Sequence, residues 1–553
     1  MPLTFASRSR VVAITAAAAT AISLTPATAA EAQTYYSTKQ PYSPAAPISS
    51  YSQPPAGFHQ IYTTSVDRHG SRGLSGFKYD DLAQQMLEAA AKRDQLTDLG
   101  KRLIPQVEAM IQVNEELVGP GKTGYGNLTT FGREELRGIG VRNAARNAEF
   151  LDRVAASGND KVKFMSSGAD RAIESGQEFG NGLLSVNPSL VGTLADGASN
   201  GTVNLETRKD LLHAHTNKEA DSYEAYSAWK DGDVLKAKVE QAYAKPASQE
   251  AAEGLLSKIF APEFIDDLAS GRLAFTGRKN ESKTVNGVVD AALQFYNLYI
   301  IAPALEREAS KPKEGWIFHE YMDDADGPTF AYLLDVEDYY EKGPAIEGQT
   351  VAYDNYAPLL NHMIQGVKDR AAGGDIAAEY RFGHAETIIP LAALLKLPGS
   401  EKAVPADEVM TYDNSAWRGD KVAPMGANIQ WDAFQNDEGI TLVRMLYNEA
   451  EIPFHDGCMP VADNSHFYTI DELADCLPLG STSDHSKARP NIAPAVSTGG
   501  WGSSLSSAGS STGGTAALVL AVLAALSAAL GLGAVQAGLI QLPALPALPP
   551  LPL

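Results

Sequence analysis

Along the middle of the chain, short β-rich runs alternate with amphipathic runs of helical period. The predicted strands cover residues 58–66, 161–166, 378–382, 428–434 and 439–447. The predicted helices cover residues 79–111, 170–184 and 385–397. Because an alternation of strands and helices is typical of parallel sheets, the pattern predicts an α/β fold whose central, mostly parallel sheet is flanked by helices.

The stretch from 188 to 343 departs from this alternation, because its pattern is mostly helical with scattered Tyr and Trp. We therefore predict an inserted helical domain at 188–343. It would separate two parts of one α/β domain, at 57–187 and 344–484. A chain of 553 residues is long enough for this organisation, at roughly 150 residues per domain.

The N-terminus has the pattern of a secretory signal peptide over residues 1–30. Arg8 and Arg10 precede an apolar, Ala-rich run, and Ala27-Thr28-Ala29 offers a cleavage site of small residues. An uncleaved N-terminal anchor is the alternative. Residues 31–56 are rich in Tyr, Ser, Pro and Gln without a helical or strand period, so we predict a polar leader arm outside the fold.

The C-terminal residues carry no charge after Arg489. Residues 490–514 form a Ser/Gly-rich linker, and residues 515–542 are uncharged and rich in Ala and Leu. The second stretch exceeds the ~20 residues that cross a bilayer, and a Pro-rich tail follows at 543–553. These features predict an exported protein that a hydrophobic anchor tethers to the membrane or cell envelope. A removable lipid-anchor signal is the alternative.

Composition restricts the possible partners and cofactors. Acidic residues outnumber basic residues by 67 to 45, and the net charge of -22 argues against nucleic acid as a partner. The two cysteines, Cys458 and Cys476, are too few for a four-thiolate zinc site. In an exported protein we expect them to form a disulfide, with two buried free thiols as the alternative. We expect neither a metal nor a cofactor.

The clearest chemical signal is Arg68-His69-Gly70-Ser71-Arg72, which follows the first predicted strand. A transferring phosphoryl group keeps its negative charge on three oxygens, and arginine forks bind such oxygens. A neutral imidazole between arginines is a competent nucleophile for phosphorus. Glycine lets the backbone pass close to the ligand. The alternative is an exposed basic turn.

This RHGxR signature resembles the histidine phosphatase superfamily, in its acid phosphatase and phytase branch. A second motif, His384-Ala385-Glu386, stands where most acid phosphatases of the branch carry His-Asp. It is similar to the pattern of multiple inositol polyphosphate phosphatases. The third arginine of the family resembles Arg171, within the sequence SGADRAIES. The resemblance covers about residues 58–480.

The resemblance implies a role for each matched residue. His69 would attack phosphorus and become a phosphohistidine, and Glu386 would protonate the leaving oxygen and later activate water. The phosphate would be held by four side chains: Arg68, Arg72, Arg171 and His384. Lys78, nine residues after the nucleophile, is a candidate ligand for a further phosphate, with a solvated lysine as the alternative.

The predicted function is therefore an exported phosphomonoester hydrolase, with inositol polyphosphates such as phytate as substrates. A strongly acidic chain would repel a hexaphosphate unless its cleft is locally positive. A broad-specificity acid phosphatase thus remains an alternative, as does an inactive surface-binding module on the same scaffold.

Two other patterns are predicted to carry no chemistry. His213-Ala214-His215 has no third metal ligand close by, so we interpret it as incidental. The acidic run at 322–326 lacks the spacing of a calcium loop and is interpreted as a solvated turn.

Overall fold

The computed structural model describes residues 34–278 and 283–478, and the described residues from Tyr35 onward belong to one compact unit. The predicted signal peptide, linker, hydrophobic anchor and Pro-rich tail lie outside the described residues. Residues 31–33 of the predicted leader and 479–484 of the predicted α/β domain also lie outside them.

The strands are β1 (His59–Arg68), β2 (Lys161–Ser166), β3 (Ala198–Ser199), β4 (Thr202–Val203), β5 (Glu206–Thr207), β6 (Phe275–Thr276), β7 (Thr284–Val285), β8 (Ile376–Gly383), β9 (Asn428–Gln435), β10 (Thr441–Tyr447), β11 (Ala450–Ile452) and β12 (Tyr468–Thr469). The α-helices are α1 (Lys78–Lys92), α2 (Asp98–Glu116), α3 (Thr130–Arg146), α4 (Ala148–Ser157), α5 (Asp170–Val186), α6 (Lys209–Leu212), α7 (Tyr223–Lys230), α8 (Asp233–Tyr243), α9 (Pro246–Ser257), α10 (Pro262–Ala269), α11 (Val288–Ile301), α12 (Gly327–Lys342), α13 (Ala357–Ala371), α14 (Ala385–Leu394), α15 (Gly419–Val422) and α16 (Ile470–Cys476). Short 3-10 helices cover Ser37–Lys39, Ile48–Ser50, Pro188–Thr193, Ala214–Thr216, Ala302–Leu305, Phe318–Tyr321 and Asp354–Tyr356.

One mixed sheet forms the centre of the molecule, in the order β11-β10-β9-β1-β8-β2-β5, with β12 paired to β10. The strands β1, β8, β2 and β5 pair in parallel, whereas β9, β10 and β11 pair antiparallel. The five strands predicted from the sequence all belong to this sheet. The predicted α/β class with mostly parallel central strands is therefore confirmed.

The helical layer of the molecule does not coincide with the predicted insertion at 188–343. β5 lies within 188–343 yet belongs to the main sheet, while α1 precedes that range and packs against α11. One apolar cluster joins residues of α1 and α2 with those of α9 to α12. The helical layer is thus built from both sides of the predicted boundary.

Within the described ranges, one helical stretch, Val288–Leu305, is long and apolar enough to cross a membrane. Of its residues, 83% are buried inside the protein. A helix that is apolar on all sides is expected where other elements surround it, so this stretch is a core helix.

The prediction of a leader arm outside the fold is wrong from Tyr35 onward. Ser37 and Thr38 are buried, and Ser37 Oγ donates to a carboxylate oxygen of Asp335 on α12 at 2.5 Å. The Tyr296 hydroxyl donates to the carbonyl of Tyr35 at 2.7 Å. These partners lie 298 and 261 positions away in the chain, so local composition carries no sign of them.

Candidate active site

The site lies where three parallel strands end side by side. Arg68, at the end of β1, is paired with Gly383 of β8, and Ser166, at the end of β2, is paired with Phe382. The segments that follow these strands therefore begin at one edge of the sheet, where open α/β folds bind ligands. This edge carries six of the predicted site residues: Arg68, His69, Arg72, Arg171, His384 and Glu386.

Backbone contacts hold the loop that follows β1. His69 donates its backbone N–H to the carbonyl of Gly383 at 3.0 Å and accepts the N–H of Gly426 at 3.1 Å. Gly70 lies so close to α3 that a Cβ atom there would overlap the carbonyl oxygen of Gly132. Only glycine fits at position 70 in this backbone arrangement.

Glu135 of α3 fixes the next residue of the loop. Its carboxylate accepts the backbone N–H of Ser71 at 2.6 Å and the Ser71 hydroxyl at 3.0 Å. It also accepts the backbone N–H of Tyr42 at 2.7 Å. Burial raises the pKa of Glu135 to about 7. One carboxyl group therefore joins α3, the loop and the N-terminal segment.

The imidazole of His69 is buried, and its Nδ1 lies 2.9 Å from the carbonyl oxygen of Gly70. A carbonyl oxygen only accepts, so Nδ1 carries the hydrogen and Nε2 keeps its lone pair. Burial, together with the charges of Arg171 and Arg68, holds the pKa of His69 well below its ordinary value. The ring is therefore neutral even in mildly acidic solution.

The arginines around His69 have hydrogen-bond donors to spare. Burial, with Arg171 and Arg68 close by, lowers the pKa of Arg72 to about 9. Four buried nitrogens of the site have no partner among the described residues, and they are Nε of Arg68, Nε of Arg72, Nε of Arg171 and Nδ1 of His384. Buried polar atoms rarely stay without a partner. Clustered donors on mutually repelling cations are suited to an anion with several oxygens.

His384 is set by the end of β8 and the start of α14. Its backbone N–H donates to Thr387 Oγ1 at 3.0 Å, and its Nε2 lies 2.8 Å from the hydroxyl of Ser167. Its ring meets that of His69 edge-on, with centroids 5.5 Å apart. Burial lowers the pKa of His384 well below its ordinary value, so this ring is neutral as well.

Glu386 is the second residue of α14, where the helix N-terminus favours a negative charge. Its Oε1 lies 3.7 Å from Nζ of Lys342, and 35% of its side chain is exposed. Burial by itself would raise the pKa of Glu386, but the Lys342 ammonium outweighs it and holds the pKa well below the ordinary value. Without a bound anion, the carboxylate is therefore ionised at neutral pH.

Lys78 lies at the first position of α1, with Nζ 5.0 Å from the centroid of the Tyr79 ring. The described contacts of its ammonium are thus with its own neighbour. Its predicted part in binding a further phosphate stays a prediction.

Sequence reasoning missed several residues of the site. His213 and His215 were interpreted as incidental, but the His213 ring lies 4.5 Å from that of His384 and 4.6 Å from that of His215, measured between centroids. His215 Nδ1 lies 3.0 Å from the Tyr356 hydroxyl. The H-x-H spacing was the sequence signal that could have indicated these two residues, whose rings line the site beside His384. Within the described ranges, no group of three or more His, Cys, Asp or Glu side chains is arranged to hold a metal ion.

Two lysines also lie near the site, Lys342 on α12 and Lys39 in the N-terminal segment, and no sequence motif indicated them.

The acidic run at 322–326 forms a turn as predicted, because Asp323 Oδ1 accepts the backbone N–H groups of Ala325 and Asp326 at 3.1 Å and 3.0 Å.

The predicted disulfide between Cys458 and Cys476 is present, with their Cα atoms 5.3 Å apart. It joins the end of α16 to the chain segment between β11 and β12. The described part of the chain contains no free cysteine.

Known proteins support the assignment that this geometry indicates. The sequence model of the histidine phosphatase superfamily (branch 2) matches residues 64–448. The chain belongs to this superfamily, and the protein is a histidine phosphatase of the inositol polyphosphate phosphatase and phytase type.

Two similar solved structures are those of Bifidobacterium longum multiple inositol polyphosphate phosphatase. The complex with inositol hexasulfate is 34% identical with a TM-score of 0.75, and the match covers 80% of this chain and 97% of that one. The complex with phosphate is 34% identical with a TM-score of 0.76, covering 81% and 98%. The phytase from D. castellii shares the fold at 14% identity and a TM-score of 0.54, covering 80% and 83%.

Proposed function

We propose that this protein hydrolyses phosphomonoesters through a phosphohistidine on His69, with inositol polyphosphates such as phytate as substrates. The observation that carries the proposal is a buried, neutral imidazole whose Nε2 lone pair is free, beside three arginines with unpartnered donors. The substrate class is supported by the similar Bifidobacterium longum enzyme, which was solved with inositol hexasulfate.

In the first step, Nε2 of His69 forms a bond to phosphorus as the ester bond to the leaving oxygen breaks. The guanidinium groups hold the three phosphoryl oxygens, and Glu386 gives its proton to the leaving alkoxide. In the second step, Glu386 takes a proton from water, whose oxygen attacks phosphorus and releases the histidine. The products are inorganic phosphate and an alcohol, and both His69 and Glu386 return to their initial states.

The ionised Glu386 must gain a proton before it can act as an acid. A bound phosphate brings negative charge close to the carboxylate, which raises its pKa. Protonation is therefore coupled to substrate binding, and we expect turnover to be faster in acidic than in alkaline solution. A monoanionic phosphate group can bring the required proton with it.

The acidic chain does not exclude a polyanionic substrate, because cations cluster at the site itself. Five cations stand near it, namely Arg68, Arg72, Arg171, Lys39 and Lys342. The carboxylates near them include Asp338, Glu386, Glu135 and Glu341. Clefts of one sign focus the field on their ligand, so local charge outweighs the net charge at short range.

The decisive experiment compares phosphate release from phytate and from a simple aryl phosphate, with the full-length protein and no added metal. We expect a higher kcat/KM on phytate, and phosphate retained on a histidine when the reaction is quenched under mild conditions that preserve the phosphohistidine. Equal kcat/KM values would favour the broad-specificity phosphatase. Absence of turnover on both substrates would favour the binding module.

We further propose that the protein is exported and tethered to the cell surface. The pattern of residues 1–30 and the apolar stretch at 515–542 motivate this proposal, and the Cys458–Cys476 disulfide supports an oxidising compartment. Cells that express the full chain should hold activity in the membrane or envelope fraction. A chain truncated after about residue 493 should release soluble enzyme of equal activity. Soluble full-length protein with its tail intact would contradict the tether.

A further inference from the structure

Lys39 is a half-buried lysine of the N-terminal segment and lies near Arg68 and Arg72 of the active site. Its Nζ donates to Thr38 Oγ1 at 3.0 Å. The carbonyl of the same Thr38 accepts from Nη1 of Arg68 at 2.5 Å. One residue therefore connects the ammonium of Lys39 to an arginine of the catalytic signature.

The ammonium of Lys39 interacts electrostatically with one nearby carboxylate, that of Asp338. Within the described ranges, no carboxylate forms an ion pair with it, and the hydroxyl of Thr38 is the hydrogen-bond acceptor it has. The nearby carboxylate of Asp338 is already engaged, because Oδ1 binds Lys342 at 2.8 Å and Oδ2 accepts the Thr38 hydroxyl at 3.1 Å. An ammonium has three donors, so two of them remain for a ligand.

The cations of the site differ in how they are paired. The carboxylates near them include Asp338, Glu386, Glu135 and Glu341. Three guanidinium groups already supply donors for the phosphoryl oxygens at His69. Lys342 forms an ion pair with Asp338, whereas Lys39 forms none with the residues that the structure describes.

We propose that the ammonium of Lys39 binds a second phosphate group of a polyphosphorylated substrate while the first lies at His69, an inference that rests on the proposed phosphohistidine chemistry. The N-terminal segment is then a specificity element, which separates polyphosphates from simple monoesters. The anchoring of this segment by Asp335, which accepts from Ser37, Tyr412 and Gly419, holds the lysine in place.

The titration of Lys39 is consistent with this role. Burial and the nearby guanidinium of Arg68 lower the pKa of Lys39 to about 7. The other charged groups around it are Arg72 of the loop and Asp338 and Lys342 of α12. A bound anion would raise the pKa again, so Lys39 charges when a polyanion enters.

The test compares two probes by calorimetry on the full-length protein. Inorganic phosphate occupies one anion site, and inositol hexasulfate offers several sulfates whose charge does not change between pH 5 and 9. For Lys39→Met we expect affinity for the hexasulfate to fall about tenfold or more at pH 6, because one charge-assisted contact is lost. The affinity for phosphate should change by less than about threefold.

Two further variants are the controls. Lys39→Arg keeps the charge at every pH, so it should bind the hexasulfate as wild type does at pH 6 and more tightly than wild type at pH 8.5. Lys245→Met removes another half-buried lysine, whose Nζ donates to the Tyr332 hydroxyl at 2.9 Å, and should leave the phosphate-to-hexasulfate ratio of wild type unchanged. Thermal unfolding of Lys39→Met and Lys39→Arg shows whether the segment stays folded.

An equal loss for both probes would overturn the inference, because Lys39 would then serve the phosphate at His69. No loss for either probe would also overturn it. The outcome is independent of turnover. If wild type fails to prefer phytate over an aryl phosphate while the Lys39 variants still change hexasulfate binding, the proposed substrate fails and this inference stands.

Discussion

The two sides of the active site are built on different principles. The sheet edge supplies the reacting groups from short segments that directly follow β1, β2 and β8. The opposite side, made by α12, the residues 213–215 and the N-terminal segment, supplies charge and walls from residues scattered over 300 positions. The reacting groups are positioned by the backbone of short local segments. The charges around them are set by elements that are distant in the chain and pack beside the site.

This difference has a consequence for Glu386. The residue belongs to the sheet edge, yet the pKa of its carboxyl is set by Lys342 from the helical side. The two sides of the site should therefore be separable by experiment. Changes at the sheet edge should alter the chemical step, and changes on the helical side should alter pH dependence and substrate preference.

The largest effect is expected for His69→Ala. Removing the nucleophile deletes the covalent step, so kcat should fall on the order of 10⁴-fold or more with every substrate. Circular dichroism should stay unchanged, since the loop is held by backbone contacts of residue 69 that alanine retains. His59→Ala, at the exposed start of β1, is the control and should keep full activity. Wild-type kcat in His69→Ala would refute the phosphohistidine mechanism.

The next effect concerns the leaving group. Glu386→Gln should lower kcat/KM on phytate by about 10²–10⁴-fold, because an inositol alkoxide must be protonated as it departs. Turnover of nitrophenyl phosphate should fall much less, since a nitrophenolate leaves unaided. Glu341→Gln removes another carboxylate that lies 3.7 Å from Nζ of Lys342 and should spare both activities. Equal losses on the two substrates would mean that another group is the acid.

A smaller effect tests the helical side. Lys342→Met removes the cation that stabilises ionised Glu386, so the pKa of this carboxyl rises and more of it is protonated at a given pH. The alkaline limb of kcat/KM on phytate should therefore move upward by about one pH unit, since a partly exposed carboxylate is screened by solvent. The control is Lys230→Met, which breaks an ion pair between α7 and Glu341, the neighbour of Lys342 on α12. It should leave the pH profile unchanged. A profile unchanged in Lys342→Met would assign the low pKa to the helix N-terminus alone.

The smallest effect on activity is expected for the double variant Cys458→Ser and Cys476→Ser. The disulfide spans 18 positions, and losing it should lower the free energy of unfolding by about 3 kcal/mol. It lies beyond β10, two strands away from β1 in the sheet, so kcat at 25 °C should stay the same. Chemical denaturation and steady-state kinetics check both expectations, and a fall in kcat without unfolding would mean that this region does reach the site.

Much of the sheet edge could be predicted because its signals are local. The strands at 161–166 and 428–434 were recognised from a few consecutive residues, and Arg68 to Arg72 and His384 to Glu386 form contiguous motifs. The limits of the helical layer could not be predicted, since α1 and α11 meet through long-range packing of apolar faces that any helix presents. The N-terminal segment was misjudged for the same reason. Its polar residues find buried partners on α12, and a local pattern contains no information about them.

The sequence by itself determined the class of fold and the identity of the reacting groups, because strand periodicity and contiguous motifs are encoded by neighbours along the chain. The tertiary structure alone decided the protonation and selectivity of the site. It placed His213 against His384, brought Lys342 within 3.7 Å of Glu386, and joined Lys39 through Thr38 to Arg68. The physical reason is that burial and Coulomb interactions depend on distances through space, and folding sets those distances between residues that are remote in sequence.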